Sequence, residues 1–205
     1  YLSGGATWTN AYNIIAETWF KDAGVTVTNA YSLYVQAQNV GSTLNRSIYV
    51  EGGVSEFDGQ LIAKGTATND NAATGDIGEF VESEITFGSA ISLTTNTAAN
   101  VTSISLTAGD WDVFGNVLFA AGASTTSTTH IGWISTTSAT LPTAPNKGSY
   151  AYMQTAHAAG ENPGLSVGMR RISLSSTTTV YLSAYSTFAV STMQAYGYIG
   201  ARRAR

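Results

Sequence analysis

The chain has 205 residues, of which 43% are hydrophobic, so it is long enough for one large or two small domains with a buried core. Only 11% of the residues are charged, the net charge is -4 and cysteine is absent, which excludes disulfides and thiolate chemistry and disfavours a nucleic-acid surface. No apolar run reaches the roughly 18 residues of a membrane helix. A surface of Ser, Thr, Ala, Gly and Asn is typical of an extracellular or virion protein that assembles tightly.

Residues 1–65 contain a degenerate repeat. The tetrapeptide Thr9 to Tyr12 recurs at Thr28 to Tyr31, and apolar runs follow at Asn13 to Ala16, Ser32 to Val35 and Ser47 to Val50. Such short strands cannot bury their own hydrophobic residues, whereas three chains wound together can. We therefore predict a trimeric β-shaft over residues 1–65. A short helix at residues 13–19 is an alternative there.

Residues 66–75 are small and polar without periodicity, so we predict a linker there and a second domain over residues 76–205. In this domain apolar and polar residues alternate in short runs separated by loops rich in Ser, Thr, Gly and Pro. The pattern predicts an all-β fold, a jelly roll or β-sandwich, after the shaft. The predicted strands are Ile77 to Val81, Ala90 to Leu93, Val101 to Leu106, Trp111 to Ala120, His130 to Ser135, Tyr150 to Thr155, Leu165 to Leu174, Thr179 to Phe188 and Ala195 to Arg203.

Several of these strands have two partly apolar faces. In the strand that follows Gly109, we expect the core face to carry Trp111, Val113, Gly115, Val117 and Phe119. The opposite face carries apolar residues beside Asp110, Asp112 and Asn116, which suggests that a second subunit covers it. Ordinary half-exposed tyrosines are the alternative in the later strands. The predicted homotrimer-interface residues are Phe114, Leu118, Tyr181, Tyr185, Tyr196 and Tyr198.

No pattern of catalytic residues stands out. Asp110 and Asp112 share a strand face at a spacing that glycosidases use, but such pairs are common by chance, and solvated strand ends are the alternative. His130 and His157 show no nucleophile elbow, no metal-ligand spacing and no acid nearby in sequence. Residues 69–79 only faintly evoke a calcium loop. We therefore predict no catalytic residue, no metal and no cofactor.

Binding is the better-supported class. The long loops at residues 122–129, 136–149 and 156–164 lie beside aromatic residues, and loops on a rigid sandwich commonly carry recognition. Aromatic faces beside polar groups suit sugars. Packing in the core or at a subunit interface is the alternative for each of these aromatic residues, and for Trp133 it is the favoured one. The predicted receptor-binding residues are His130, Trp133, Tyr150, Tyr152 and His157.

The segment Leu106 to Phe119 resembles a strand of the tumour-necrosis-factor and complement-globular-head jelly rolls, and the segments Thr178 to Leu182 and Ala195 to Ile199 resemble the closing strands of that family. Residues 75–205 are also similar to a C-terminal domain of bacteriophage and prophage tail-fibre and tail-needle proteins. The matching motifs are Gly78 to Val81, Ser89 to Leu93, Asn100 to Val113, Ile172 to Ser175 and Ala201 to Arg205. Residues 28–60 are similar to the shaft repeats of such fibres.

This resemblance implies a homotrimeric fibre in the virion, outside the cell, with a jelly-roll head that attaches to a host cell-surface glycan or outer-membrane receptor. Its partners would be its own copies, the receptor and other virion tail proteins, and not nucleic acid. The family has no fixed catalytic motif. Two alternatives stay open: a purely structural trimerisation module, and the C-terminal part of a glycan-degrading tailspike.

Overall fold

The computed structural model describes residues 67–205, which lie in one compact unit of the chain, Thr66–Arg205. The predicted shaft, its repeats and the start of the linker fall outside these residues. The described part contains nine strands and two short 3-10 turns, Phe87–Ser89 and Asn146–Gly148. The strands are β1 (Phe80–Ile85), β2 (Ile91–Leu93), β3 (Ala99–Leu106), β4 (Gly109–Ala121), β5 (Thr126–Ser135), β6 (Tyr150–His157), β7 (Gly164–Leu174), β8 (Thr178–Ala189) and β9 (Met193–Arg203).

Two antiparallel sheets form a sandwich. Sheet A has the order β1-β9-β4-β7, with β2 also paired to β9, and sheet B has the order β3-β8-β5-β6. Although β3 and β4 are consecutive, they lie in different sheets, so the break before Gly109 carries the chain from one layer to the other. Crossing repeatedly between two layers in this way is typical of a jelly roll. The predicted all-β sandwich is thus confirmed for the described residues.

Period-two alternation in the sequence locates all nine strands. The largest error concerns β1, which runs over Phe80–Ile85 and not from Ile77. The reason is that Gly78 and Glu79 instead pair with the end of the chain: the Gly78 N–H donates to the Arg203 carbonyl, and the Arg203 N–H donates to the Glu79 carbonyl. In this part of the chain, no helix is long and apolar enough to cross a membrane.

The core lies between the sheets. On β4 the predicted core face is confirmed, since Trp111, Val113, Val117 and Phe119 are fully buried. From sheet B they meet Ile134, Val180 and Leu182, and from β9 Ala195, Ile199 and Ala201, in one contiguous cluster. Burying such side chains contributes about 1.5–3 kcal/mol each.

The C-terminus is fixed by a buried ion pair. Arg203 Nε donates to Glu79 Oε2 at 2.9 Å, and both side chains are less than one-tenth exposed. The guanidinium also donates to the Ala108 carbonyl at 2.8 Å and lies 4.3 Å from the centre of the Trp111 ring. Gly109, at φ +137°, leaves the space that this guanidinium occupies, because a Cβ there would overlap it. The last strand is therefore tied both to the start of β1 and to the start of β4.

Candidate binding faces

Each sheet has one face that points away from the core, and we call these face A and face B. On face B the cross-strand register aligns Tyr150 with Trp133 and Tyr152 with Ile131. The same register aligns Ile131 with Tyr185 on the neighbouring strand. Cross-strand partners point to the same side of a sheet. Face B is therefore an aromatic surface shared by three strands, and Tyr181 lies on it two positions from Ser183.

The tyrosines of face B differ in exposure. Tyr152 is 52% exposed, whereas Tyr150 and Tyr185 are half-buried. Burial raises the pKa of Tyr150, and the neighbouring Tyr152 and Tyr185 raise it further. The Tyr185 hydroxyl donates to Asn96 Oδ1 at 3.1 Å. The raised pKa keeps the Tyr150 phenol neutral at physiological pH, and face B offers flat rings with hydroxyl groups at their edges.

Trp133 lies on face B but is fully buried, and Ile131 is 4% exposed. Neither belongs to the contiguous core between the sheets. Beside them, the side chain of Asn100 connects the loop after β5 to Ser183: its Oδ1 accepts from the Ala139 N–H and the Ser183 hydroxyl. The structure therefore corrects the prediction that Trp133 contacts a receptor. Its burial agrees with the favoured alternative, although it packs outside the main core.

His130 points to the other side, into the sandwich, and is also fully buried. Its ring lies 4.7 Å from that of Phe119 and 5.0 Å from that of His157, both edge to face. Within the described part of the chain, neither ring nitrogen of His130 has a hydrogen-bond partner. Burial and the neighbouring His157 lower the pKa of His130 to about 4. The predicted receptor contact of His130 is therefore wrong for this conformation, because no part of its side chain reaches the surface.

His157 is the remaining predicted receptor residue, and its side chain is only 14% exposed. Its Nδ1 lies 3.1 Å from Glu161 Oε2, and the same carboxylate accepts from the Ala158 N–H at 3.1 Å. The expectation that no acid lies near this histidine is thus corrected, and the spacing of four residues was the available signal. Of the five predicted receptor residues, the structure brings Tyr150 and Tyr152 together at an accessible surface.

Face A carries the other aromatic surface. Phe114 is 37% exposed, and its ring lies 6.3 Å from that of Phe80 and 6.4 Å from that of Tyr198. The Tyr198 hydroxyl donates to Glu82 Oε2 at 2.7 Å, and burial together with this carboxylate raises the pKa of Tyr198 to about 12. Leu118 and Tyr196 are cross-strand partners farther along the same face.

The predicted interface residues therefore divide between two opposite sides of the sandwich. Phe114, Leu118, Tyr196 and Tyr198 lie on face A, and Tyr181 and Tyr185 lie on face B. An interface that closes a ring of three copies joins two different patches, so such a division is compatible with a trimer. The homotrimer itself stays a prediction.

Asp110 is not a solvated strand end. Asp110 is 4% exposed and binds Arg171 Nη2 at 2.8 Å and also Arg205. Hydrogen bonds from Arg171, Ser173 and Arg205 hold its pKa far below the usual range. A general acid needs a pKa near the working pH, and Asp110 is held in the charged form, so the geometry does not favour this role.

Glu79 is likewise engaged. Burial alone would raise its pKa, but hydrogen bonds from the Gly75 N–H and from Arg203 lower it below the ordinary value. In the segment that faintly evokes a calcium loop, the Asn71 side chain instead binds both backbone groups of Phe80. Within residues 67–205, no three His, Cys, Asp or Glu side chains are grouped as metal ligands are.

No protein-family model matches the chain, and no curated protein matches it. Two solved structures are similar to part of it. One is of the infectious bursal disease virus Gx strain, at 11% identity and a TM-score of 0.33 over 64% of this chain and 32% of that chain. The other is of the Gt strain, at 13% identity and a TM-score of 0.29 over 64% of this chain and 30% of that chain. The chain spans about a third of the length of these structures.

Proposed function

We propose that the protein is a virion attachment protein, the distal part of a phage tail fibre, whose jelly-roll domain binds a glycan on the host cell surface without cleaving it. The observation that carries the proposal is face B, where Tyr150, Tyr152 and Tyr185 form an accessible aromatic surface on a rigid sheet. Sugars stack their apolar faces on such rings and exchange hydrogen bonds with hydroxyl groups around them.

The surroundings of face B support this assignment. Gln154 is exposed beside Tyr152, and its Oε1 accepts from the Tyr152 hydroxyl at 2.5 Å, so a polar group accompanies the most exposed ring. The strands that carry these residues hold them in fixed positions, which lowers the entropy cost of binding. Low charge on the chain leaves neutral polar recognition as the main attraction at this face.

Attachment by such a face requires several copies. A single shallow aromatic surface binds one sugar weakly, whereas linked copies that engage together reach an avidity about 10²–10⁴ above that of one site. The exposed apolar residues of face A, Phe114 and Phe87, suit contact with another copy of the chain. In this proposal, face A and the Tyr181 end of face B supply the two patches that a ring of three copies joins, and the part of face B around Tyr152 meets the host.

Replacing Tyr152 with alanine is expected to weaken glycan binding by about tenfold, because the substitution removes one stacked ring while leaving the sheet intact. An array of bacterial surface polysaccharides, followed by titration of the strongest hit, measures the change. The matched control is Ile77→Ala, which removes an exposed apolar side chain, 74% accessible, that lies outside every strand of the two sheets.

Equal losses in the two variants, or a blank array for the unchanged protein together with no binding to host cells, would refute face B as the attachment site. Release of reducing sugar from the bound polysaccharide would refute the non-catalytic part of the proposal and favour a glycan-degrading tailspike.

A purely structural trimerisation module is the second candidate function. Face A favours it, because its ring cluster of Phe80, Phe114 and Tyr198 supplies an apolar surface whether or not face B binds a ligand. A trimer that binds neither cells nor polysaccharide would support this second candidate over the first.

A further inference from the structure

A pocket of about 410 Å³ opens beside the edge strand β7, and none of the residues that line it is a tyrosine. Its basic lining is Lys147, Arg170 and Arg171, and its hydroxyl lining is Thr136, Ser173 and Thr178. Residues 67–205 contain only six lysines and arginines, so half of them line this one pocket. In a chain with a net charge of -4, such a concentration is a local reversal of charge.

Arg170 is held in place by neutral groups. Its Nη1 donates to the Ile134 carbonyl at 3.2 Å and to Asn146 Oδ1 at 3.1 Å. No carboxylate in the described part of the chain forms an ion pair with it, and its buried Nε has no hydrogen-bond partner. A half-buried guanidinium without a counter-ion is a costly arrangement that a bound anion relieves.

The loop that carries Lys147 is built around the same pocket. Asn146, Lys147 and Gly148 all have positive φ values, of 47°, 54° and 90°. Two non-glycine residues in this region are strained, and such strain persists where surrounding contacts hold it. The Asn146 side chain supplies such contacts in this loop. Its Nδ2 donates to the Ile134 carbonyl at 2.9 Å, and its Oδ1 accepts from Arg170.

Charges around the pocket do not cancel. Asp110 forms ion pairs with Arg171 and Arg205, and the negative charge of Asp112 also raises the pKa of Arg171. With Lys147 and Arg170, four cations therefore lie near two carboxylates, and among residues 67–205 neither Lys147 nor Arg170 forms an ion pair with a carboxylate.

We propose that this pocket binds the acidic group of an anionic saccharide, a carboxylate, sulfate or phosphate carried on a sugar. The volume exceeds what a free inorganic anion needs and lies in the range of sites for small organic ligands. The hydroxyl groups of Thr136, Ser173 and Thr178 match the hydroxyl groups of a sugar, and Leu174 offers an apolar contact. The saccharide part of this inference rests on the proposed attachment function, whereas the anion site is testable by itself.

The test uses the full chain and calorimetric titrations with glucuronate, glucose 6-sulfate, glucose 6-phosphate, neutral glucose and inorganic phosphate. We expect saturable binding of at least one acidic sugar, about fivefold tighter than that of glucose or of inorganic phosphate, since charge-assisted contacts are added to sugar contacts. The three acidic sugars distinguish the three sources of charge. Lys147→Gln should weaken this binding by about fivefold.

Arg202→Gln is the matched control, since it removes the same charge from an exposed residue outside the pocket. The proposal is overturned when no acidic sugar binds more tightly than glucose, when inorganic phosphate binds as tightly as the acidic sugars, or when the two variants lose affinity equally. Arg170→Gln is a second test variant. If this substitution unfolds the domain, Lys147→Gln still tests the proposal, because Lys147 is exposed and its replacement should leave the fold intact.

Failure of the attachment proposal gives a different result. Saturable binding of an acidic sugar together with a blank polysaccharide array and no binding to host cells would refute attachment and leave the anion site standing.

Discussion

Replacing Arg203 with alanine is expected to lower the free energy of unfolding by about 3–5 kcal/mol, because the substitution leaves the buried Glu79 carboxylate without its partner. It also removes the hydrogen bond to the Ala108 carbonyl and the stacking on Trp111. The midpoint of thermal unfolding should fall by about 10 °C. Urea unfolding and calorimetry measure the two quantities.

The neighbouring Arg202→Ala is the matched control, since Arg202 is exposed and Arg203 is 4% exposed. An exposed substitution of this kind usually changes stability by less than about 0.5 kcal/mol. Adding Glu79→Gln to Arg203→Ala should recover part of the loss, because the stranded charge disappears. Equal effects of the two arginine substitutions would show that the buried ion pair does not fix the C-terminus.

Acidification from pH 7.5 to pH 4.5 is expected to lower the free energy of unfolding by up to about 3 kcal/mol through His130 alone. In the unfolded chain a histidine titrates near 6.5, whereas the pKa of His130 in the folded protein is about 4. Between these values the unfolded chain binds the proton first, so stability is complete above pH 6.5 and is lost as the pH falls toward 4. Protonation would place a charge in the core, 5.0 Å from the His157 ring and against Phe119.

Carboxylates act in a lower pH range. The lowered pKa values of Asp110 and Glu79 contribute stability above their ordinary values of 3.8 and 4.5 that is lost as the pH falls further. The interval from pH 6.5 to about 4.5 therefore reports mainly on His130. Unfolding titrations across this interval separate the two contributions.

His130→Leu tests the assignment, because leucine is similar in size and cannot be protonated. Its stability should change little between pH 7.5 and 4.5, whereas the unchanged protein loses about 3 kcal/mol. Glu161→Gln is the control, because it removes the carboxylate that lies 3.1 Å from His157 Nδ1 and leaves His130 unchanged. A His130→Leu protein that retains the full pH dependence would contradict the role of His130.

Much of the fold could be predicted from period-two alternation. The inward residues of β4 are the expected ones, and Tyr196 and Tyr198 point outward as predicted. The same period of two also predicts which side of β9 each C-terminal arginine occupies. Arg203 shares the inward side with Ile199 and Ala201, so the C-terminal arginines are divided between core and surface.

Other features depend on contacts between distant segments. Alternation assigns Trp133 to a face but says nothing of how deeply a loop buries it, and Trp133 is both outward and fully buried. The environment of His130 comes from Phe119 on β4 and His157 on β6, which no local pattern relates. The basic pocket likewise unites Lys147, in a loop with positive φ values, with Arg170 on another strand.

The central claim is a multivalent attachment head, and the mass of the full chain in solution tests it most directly. Light scattering over a range of protein concentrations should give a mass near three times the 21.4 kDa of one chain. Phe114→Ser should lower this mass, because it removes the exposed ring at the centre of the face A cluster. A mass of 21.4 kDa at every concentration would contradict the account, since one copy provides no avidity and leaves face A without the contact we assign to it.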